Sequence, residues 1–156
     1  MTFAEFYQQG SCYADFLTQY GSENDRKRWQ QVYAQTDLET RQEAFLGSFA
    51  REMHVLCMAG AWCGDCAEQC PIFTVFEEAS PLIHVRYVDR DAHSELKETL
   101  TICGGARVPQ VVFFSEDMQQ VGRYGDRTLA KYRQIAASIG GAVSYTHLTL
   151  PTNREV

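Results

Sequence analysis

Residues 59–71 read AGAWCGDCAEQCP and place three cysteines, Cys63, Cys66 and Cys70, in one short segment. The apolar run HVLCMA at residues 54–59 has the length of a strand, which predicts a central strand buried on both faces. From about residue 65 to residue 78 the pattern becomes helical. The cysteines therefore lie where a strand passes into a helix, and sites in α/β sheets form at the carboxyl ends of strands.

The rest of the chain continues this alternation of strands and helices. The further predicted elements are a strand at residues 82–88 (LIHVRYV), a helix from Asp91 or Ser94 to Leu100, a strand at residues 111–114 (VVFF), its hairpin partner in QQVGRY (119–124), and a last helix from Asp126. This order, β, α, β, α, β, β, α, predicts an α/β fold. We expect a central mixed sheet flanked by helices on both faces, with a right-handed crossover between its parallel strands.

Before residue 53 the sequence predicts two helices. Residues 25–34 predict one helix, with Trp29 on its apolar face. The sequence from Thr36 to Glu39 has the form of a capping box, which predicts a second helix from residue 38 to about residue 52. We expect residues 1–52 to form an N-terminal helical extension that packs on the main domain and holds no catalytic group.

The main domain is predicted to span residues 53–142. After it the composition changes abruptly, and residues 143–156 (VSYTHLTLPTNREV) show neither helical nor strand periodicity. This stretch is similar to the translated synthetic adapter of transposon-based sequencing libraries. We interpret it as a non-native tail and leave it out of the fold prediction.

Composition and charge exclude several classes of protein. A chain of 156 residues with 45% hydrophobic content suits one buried core, and its six cysteines are too dilute for a disulfide-stapled secreted scaffold. A net charge of -6 without a basic cluster argues against nucleic-acid binding. Apolar runs fall short of the roughly 20 residues that a membrane span requires, which predicts no membrane partner. The first residues lack the basic region of a secretory signal, so a cytoplasmic location is expected.

The pair Cys63 and Cys66 has a spacing that suits either zinc binding or disulfide exchange. A structural zinc site usually combines two such pairs, or one pair with two histidines, and no second pair follows here. At the start of a helix, unpaired N–H groups and the helix dipole stabilise a thiolate. This placement predicts a lowered pKa for Cys63 and a role as an attacking nucleophile.

The segment Trp62-Cys63-Gly64-Asp65-Cys66 after a buried strand resembles the active site of the thioredoxin family. The resemblance covers about residues 53–140, and some bacterial thioredoxin-like proteins carry comparable N-terminal extensions. Three further positions carry it: Pro71 on the active-site helix, Val108-Pro109 where the family has its cis-proline loop, and Gly125 between the last strand and the last helix.

The resemblance implies a thioredoxin-like fold and a thiol–disulfide oxidoreductase, reductive because the chain is expected in the cytoplasm. Cys63 would attack a protein or small-molecule disulfide, and Cys66 would then resolve the mixed disulfide. The redox-active disulfide would serve without a separate cofactor or metal. A dithiol reductant such as a thioredoxin reductase would regenerate the pair.

The remaining motif residues take supporting roles by the same resemblance. The Val108 backbone would pair with an extended substrate segment, and a cis Pro109 would shape that edge and keep metal from the thiolates. Arg107 either contacts an acidic partner or is simply solvated. The other expected roles are a shield over the pair for Trp62, the tight turn for Gly64, a helix kink for Pro71, and close approach of substrate for Gly125.

The sequence departs from the family pattern at two positions beside the pair. Asp65 replaces the proline that is commonest in reductive thioredoxins, and a carboxylate there opposes ionisation of its neighbour. We expect a less depressed Cys63 pKa and a lower reduction potential than oxidising pairs have. Cys57 stands where thioredoxins bury an aspartate that assists proton transfer, so resolution by Cys66 should be slower or use another group.

Two further cysteines leave alternatives open. Cys70, four residues after Cys66, is either a third redox or metal-binding thiol or a small buried hydrophobe, and the latter is favoured. Cys103, in the loop before Pro109, is either a regulatory thiol or an inert loop residue. The alternative function is a soft-metal-binding module, for Cu(I) or zinc, that uses Cys63, Cys66 and Cys70. A redox-inactive scaffold is the least favoured interpretation.

Overall fold

The computed structural model describes residues 1–140, so the predicted tail at residues 143–156 lies outside the described residues. The elements in chain order are α1 (Phe3–Gln9), α2 (Tyr13–Tyr20), α3 (Glu23–Gln35), α4 (Thr40–Gly47), β1 (Met53–Ala59), α5 (Gly64–Ala79), β2 (Ile83–Asp89), α6 (Ser94–Thr99), β3 (Gln110–Phe114), β4 (Gln120–Gly125) and α7 (Leu129–Gly140). The predicted α/β fold with a mixed sheet flanked by helices is confirmed.

The sheet has the strand order β2-β1-β3-β4. Strand β1 pairs with β2 in parallel and with β3 in antiparallel orientation, and β4 closes a hairpin with β3. The apolar residues of β1 are buried from Val55 to Ala59, as expected for a central strand. Cys57 is opposite Tyr87 on β2 and Val111 on β3, so it lies in the middle of the sheet.

The N-terminal extension contains four helices where the sequence predicted two. Helix α4 is shorter than the predicted helix at residues 38–52, and the predicted capping box is wrong. Thr36 ends α3, where its hydroxyl donates to the Val32 carbonyl oxygen at 2.7 Å. Glu39 is instead the N-cap of α4, and its N–H donates to the Gln42 side chain at 2.9 Å. The Thr36 hydroxyl does not cap α4, because it is hydrogen-bonded at the end of α3.

The extension covers the outer edge of β2. The N–H of Ser11 donates to the Tyr87 carbonyl oxygen at 2.9 Å, and the N–H of Tyr87 donates back at 2.8 Å. Behind this bridge the rings of Phe16 and Trp29 pack together and against Tyr87, at centroid distances of 5.6, 5.7 and 6.3 Å. Helix α3 also packs along α5. The edge strand is thus shielded from further pairing.

Met1–Asp126 forms one compact unit, and α7 lies in a second unit that begins at Arg127. Helix α7 begins at Leu129, three residues after the predicted start at Asp126, because Thr128 caps it by accepting from the Lys131 N–H at 3.1 Å. The predicted boundary between residues 52 and 53 stays a prediction. Within residues 1–140, no helix has both the length and the apolar character that crossing a bilayer would need.

Candidate active site

The two cysteines of the predicted pair lie at different depths at the start of α5. Cys63 is the N-cap, with its N–H donating to the Gly60 carbonyl oxygen at 3.0 Å and its own carbonyl accepting from Ala67 at 3.0 Å. Its side chain is at the rim of the core with 9% of its surface exposed, whereas Cys66 is fully buried. The outer thiol is the one that a substrate can reach, and the inner one lies behind it.

The predicted lowering of the Cys63 pKa is wrong in direction. The hydrogen bond to the Cys66 thiol and burial raise the pKa of Cys63, although the N–H groups of Cys66 and Asp65 act in the predicted sense. Burial likewise raises the pKa of Cys66. The Cys63 thiol also donates to the Val108 carbonyl oxygen at 3.6 Å, a contact that only the protonated form makes. The reduced pair is therefore held as two thiols.

The loop opposite the pair is built around Pro109. The Val108–Pro109 peptide bond is cis, and Val108 is buried apart from 7% of its surface. The Gln110 side chain fixes the loop from behind, since it donates to the carbonyl oxygens of Leu100 at 2.8 Å and Arg107 at 2.7 Å. The loop thus presents the Val108 carbonyl to Cys63.

Gly125 supports this loop by its lack of a side chain. Its φ is +151°, and a Cβ there would lie 2.5 Å from the Pro109 carbonyl oxygen and 2.9 Å from Ile102 Cδ1. The close approach of the loop backbone requires a glycine at this position. Gly64 differs, because a Cβ there would meet no atom within 4 Å. Packing therefore does not require a glycine at position 64, and the role expected for it in a tight turn stays a prediction.

Arg107 is held by an ion pair to Asp126, at 3.2 Å, and Asp126 is buried. Next to it, the buried Gln69 on α5 donates to the Asp126 carbonyl oxygen at 2.9 Å and accepts from the Tyr124 hydroxyl. Gln69 therefore ties the active-site helix to the end of β4. No sequence pattern predicts this link, because Gln69 and Asp126 are 57 residues apart.

The loop before Cys63 is anchored by helix α3. The indole N–H of Trp29 donates to the Ala61 carbonyl oxygen at 2.9 Å, in a buried hydrogen bond. Arg28 donates to the Trp62 carbonyl oxygen at 3.0 Å. Trp62 itself is 50% exposed, and the Arg90 guanidinium lies 4.8 Å from its ring centroid. The extension, in which the sequence showed no functional group, thus holds the loop in place.

Cys57 and Cys70 lie in the core behind the pair, and both are fully buried. Burial raises the pKa of each thiol. Cys70 is a small buried residue on the active-site helix, as the favoured interpretation had it, and its side-chain hydrogen bond with Cys66 raises the pKa of Cys66. Cys103, by contrast, is exposed, like Cys12 near the N-terminus.

The arrangement of these thiols bears on the soft-metal alternative. Cys63, Cys66 and Cys70 follow one another along the start of α5, which continues through Pro71. Within residues 1–140, no group of three or more His, Cys, Asp and Glu side chains is arranged to hold a metal ion. The geometry of the described residues therefore does not favour a metal site built from these three cysteines.

The chain is similar to a known protein family and to several solved structures. The family described as thioredoxin matches residues 10–138. A Pseudomonas aeruginosa protein of unknown function aligns with a TM-score of 0.76 and 19% identity over 91% of this chain and 88% of its own. An HIV epitope-scaffold aligns with a TM-score of 0.75 and 19% identity over 90% of each chain. A Schistosoma mansoni thioredoxin pre-protein aligns over 64% of this chain and 90% of its own, with 22% identity and a TM-score of 0.41. No curated protein matches the chain.

Proposed function

Because the chain belongs to the thioredoxin family, we propose that it is a thiol–disulfide oxidoreductase that reduces disulfide bonds through Cys63 and Cys66. The observation that carries this proposal is the difference in depth between the two thiols at the start of α5. A rim thiol can attack a foreign disulfide while the inner thiol stays out of reach. The inner thiol can then attack only its neighbour.

The reaction runs in two exchanges. The Cys63 thiolate attacks one sulfur of the substrate disulfide, so that a Cys63–substrate bond forms and the other substrate sulfur leaves as a thiolate. Cys66 then attacks Cys63, forms the Cys63–Cys66 disulfide and releases the second substrate sulfur. Two electrons pass from the protein dithiol to the substrate, which takes up two protons. A dithiol reductant such as a thioredoxin reductase returns the pair to the reduced state.

The proposed direction is reductive, because the environment does not favour thiolates. A pair that stabilises its thiolate stabilises its reduced form and is therefore a strong oxidant. Here the partner thiol and burial raise the pKa of Cys63, so the reduced form gains no such stabilisation at neutral pH. The pair gives up electrons readily as a result. This direction suits the reducing environment of a cytoplasm.

Substrate recognition is proposed to use the backbone around Val108. Its carbonyl faces Cys63 across the pair, and an extended chain that adds along this edge would bring its disulfide to the exposed thiol. The half-exposed Trp62 borders the same opening and would shield one side of the pair. Because main-chain pairing carries little side-chain specificity, both protein disulfides and small disulfides fit this mode.

The test is reduction of insulin disulfides with dithiothreitol as electron donor. We expect turnover by the wild type, none by Cys63→Ser, and a trapped mixed disulfide without turnover for Cys66→Ser. Cys12→Ser and Cys103→Ser are matched controls, because each removes an exposed thiol away from the pair, and both should keep wild-type rates. Absence of turnover by the wild type, or an equal loss in Cys103→Ser, would contradict the proposal.

A further inference from the structure

One side chain contacts both sides of the opening above the cysteine pair. Trp62 borders this opening on one side, and the loop that leads to Val108 borders it on the other. The guanidinium of Arg90 lies 4.8 Å from the Trp62 ring centroid, and its Nη1 donates to the Ala106 carbonyl oxygen at 3.4 Å. Ala106 is two residues before Val108, so Arg90 bridges the two sides.

The backbone of Arg90 is fixed by the turn that follows β2. Its N–H donates at 2.9 Å to the carbonyl oxygen of Ala59, the last residue of β1. Asp89 closes the turn, because its Oδ1 accepts from the N–H groups of Asp91 and Ala92, both at 2.9 Å. The Arg90 side chain therefore extends from the carboxyl ends of the two parallel strands, where the cysteine loop begins.

The orientation of the guanidinium is set by Asp91. The Asp91 carboxylate accepts from Arg90 Nε at 3.0 Å and from Arg90 Nη2 at 3.1 Å, a two-point contact that fixes the plane of the group. The Arg90 side chain is only 22% exposed, so its contact with the Trp62 ring is partly desolvated, which strengthens such contacts. A lysine would keep the charge but not this two-point geometry.

The Trp62 ring also lies against backbone. A Cβ at Gly60 would be 2.8 Å from both Cε2 and Nε1 of the indole, so the ring lies directly on Gly60. Trp62 is nevertheless 50% exposed. Without the Arg90 guanidinium, a half-exposed indole that packs only on backbone would populate several rotamers.

We propose that Arg90 is a positioning residue that holds Trp62 in place relative to the Val108 loop and so keeps the opening ready for an extended substrate chain. This inference rests on the proposed oxidoreductase function. Arg90 acts through Trp62 and the loop, and it takes no part in the exchange at Cys63. A chain that binds between the two sides then does not have to order the indole, so Arg90 contributes to substrate affinity. A small disulfide that needs only the exposed thiol gains nothing from Arg90.

The experiment compares two disulfides in a parent protein that carries Cys12→Ser and Cys103→Ser, which removes the two exposed thiols away from the pair. Insulin represents an extended chain, and its reduction gives KM and kcat. Dithiodipyridine is small and uncharged, and its rate of reaction with the reduced protein reports attack by Cys63. Acrylamide quenching of tryptophan fluorescence reports the exposure of Trp62, because the other tryptophan, Trp29, is fully buried. Circular dichroism checks that each variant is folded.

We expect Arg90→Met to raise the KM for insulin about fivefold, the combined effect of losing a cation–π contact and a hydrogen bond to a carbonyl. Quenching of Trp62 should increase, while kcat and the dithiodipyridine rate should stay within about twofold of the parent. Arg123→Met is the matched control, since the Arg123 guanidinium makes a cation–π contact of its own, 5.0 Å from the Phe3 ring centroid on α1. This variant should keep the parent values in all of these measurements.

Two further variants separate position from charge. Arg90→Lys keeps the positive charge but loses the planar group, and Asp91→Asn keeps Arg90 but weakens the two-point contact that orients it. If Arg90 acts by position, both variants should raise the KM for insulin, to values between those of the parent and Arg90→Met. If its charge attracted an acidic substrate instead, Arg90→Lys would match the parent and Asp91→Asn would lower the KM.

The inference is overturned if Arg90→Met leaves the KM for insulin unchanged, or if Arg90→Lys and Asp91→Asn give the result expected for charge. It is also overturned if the dithiodipyridine rate falls together with insulin reduction, because Arg90 would then act on Cys63 itself or on the fold. Failure of the proposed function looks different. The parent protein would then leave insulin unreduced, although quenching of Trp62 would still differ between the parent and Arg90→Met.

Discussion

Replacement of Trp29 by phenylalanine tests whether the N-terminal extension is part of the active site. Trp29 is fully buried, and its indole N–H donates to the Ala61 carbonyl oxygen at 2.9 Å, two residues before Cys63. Phenylalanine keeps an aromatic ring against Phe16 and Tyr87 but removes the donor. The Ala61 carbonyl is then left buried without this partner.

The expected destabilisation has two parts. An unsatisfied buried carbonyl costs about 1–3 kcal/mol. The smaller ring leaves a void that adds roughly 1 kcal/mol. The sum, roughly 2–4 kcal/mol, is a large share of the ~5–15 kcal/mol by which domains are typically stable. The change in the free energy of unfolding is measured by urea unfolding of the reduced protein. Far-UV circular dichroism monitors the transition, because the substitution itself alters tryptophan fluorescence.

A second measurement separates anchoring of the loop from stability. If Trp29 holds the loop, Trp29→Phe should also speed alkylation of Cys63 by iodoacetamide, because local opening exposes the thiol. Phe16→Leu is the matched control, since Phe16 packs on Trp29 at 5.6 Å but makes no side-chain hydrogen bond to the loop. It should lower stability by a similar amount and leave alkylation at the wild-type rate. Equal alkylation rates in the two variants, or a loss below 1 kcal/mol for Trp29→Phe, would refute the anchoring argument.

Three further predictions follow from buried groups and close contacts. The Tyr13 hydroxyl is buried without a hydrogen-bond partner among the described residues, so Tyr13→Phe should raise the free energy of unfolding by about 1 kcal/mol in urea titrations, and a loss would contradict this. Burial raises the pKa of Cys57, and the unfolded chain therefore releases that proton first. The free energy of unfolding should thus fall as the pH rises above ~8.5, with this thiol contributing at most about 1.4 kcal/mol per pH unit. Cys57→Val should make this dependence on pH less steep. Gly125→Ala places a methyl group 2.5 Å from the Pro109 carbonyl oxygen and should abolish insulin reduction, whereas Gly122→Ala, with its nearest atom at 3.6 Å, should not.

The elements next to the cysteines could be predicted from sequence because their signals are local. The apolar run of β1 and the helical spacing after Cys63 depend on residues a few positions apart, and both elements formed within two residues of their predicted bounds. Helices α1 and α2 were missed because each is only seven or eight residues long, which gives two turns of periodicity at most. The polar break at Gly10 and Ser11, which hides the pattern, is the segment that pairs with β2.

What the sequence could not supply are contacts between distant residues. Trp29 is 32 residues from Ala61, and Gln69 is 57 residues from Asp126. Neither separation corresponds to a sequence pattern that would predict the contact. The predicted direction of the Cys63 pKa shift was wrong for the same reason. The helix start predicted one favourable influence, but burial and the partner thiol depend on how β1, α5 and the Pro109 loop come together.

The Val108 carbonyl joins recognition to activation in the proposed reaction. In the free protein this oxygen accepts from the Cys63 thiol at 3.6 Å, which favours the protonated and less reactive form. A substrate strand that pairs along Val108 would place an N–H against the same oxygen and displace the thiol from it. Docking would thereby remove one of the interactions that hold the proton on Cys63 at the moment when a disulfide lies in front of it. A pair with a raised pKa can then stay inert toward stray disulfides and still react with those that bind as an extended chain.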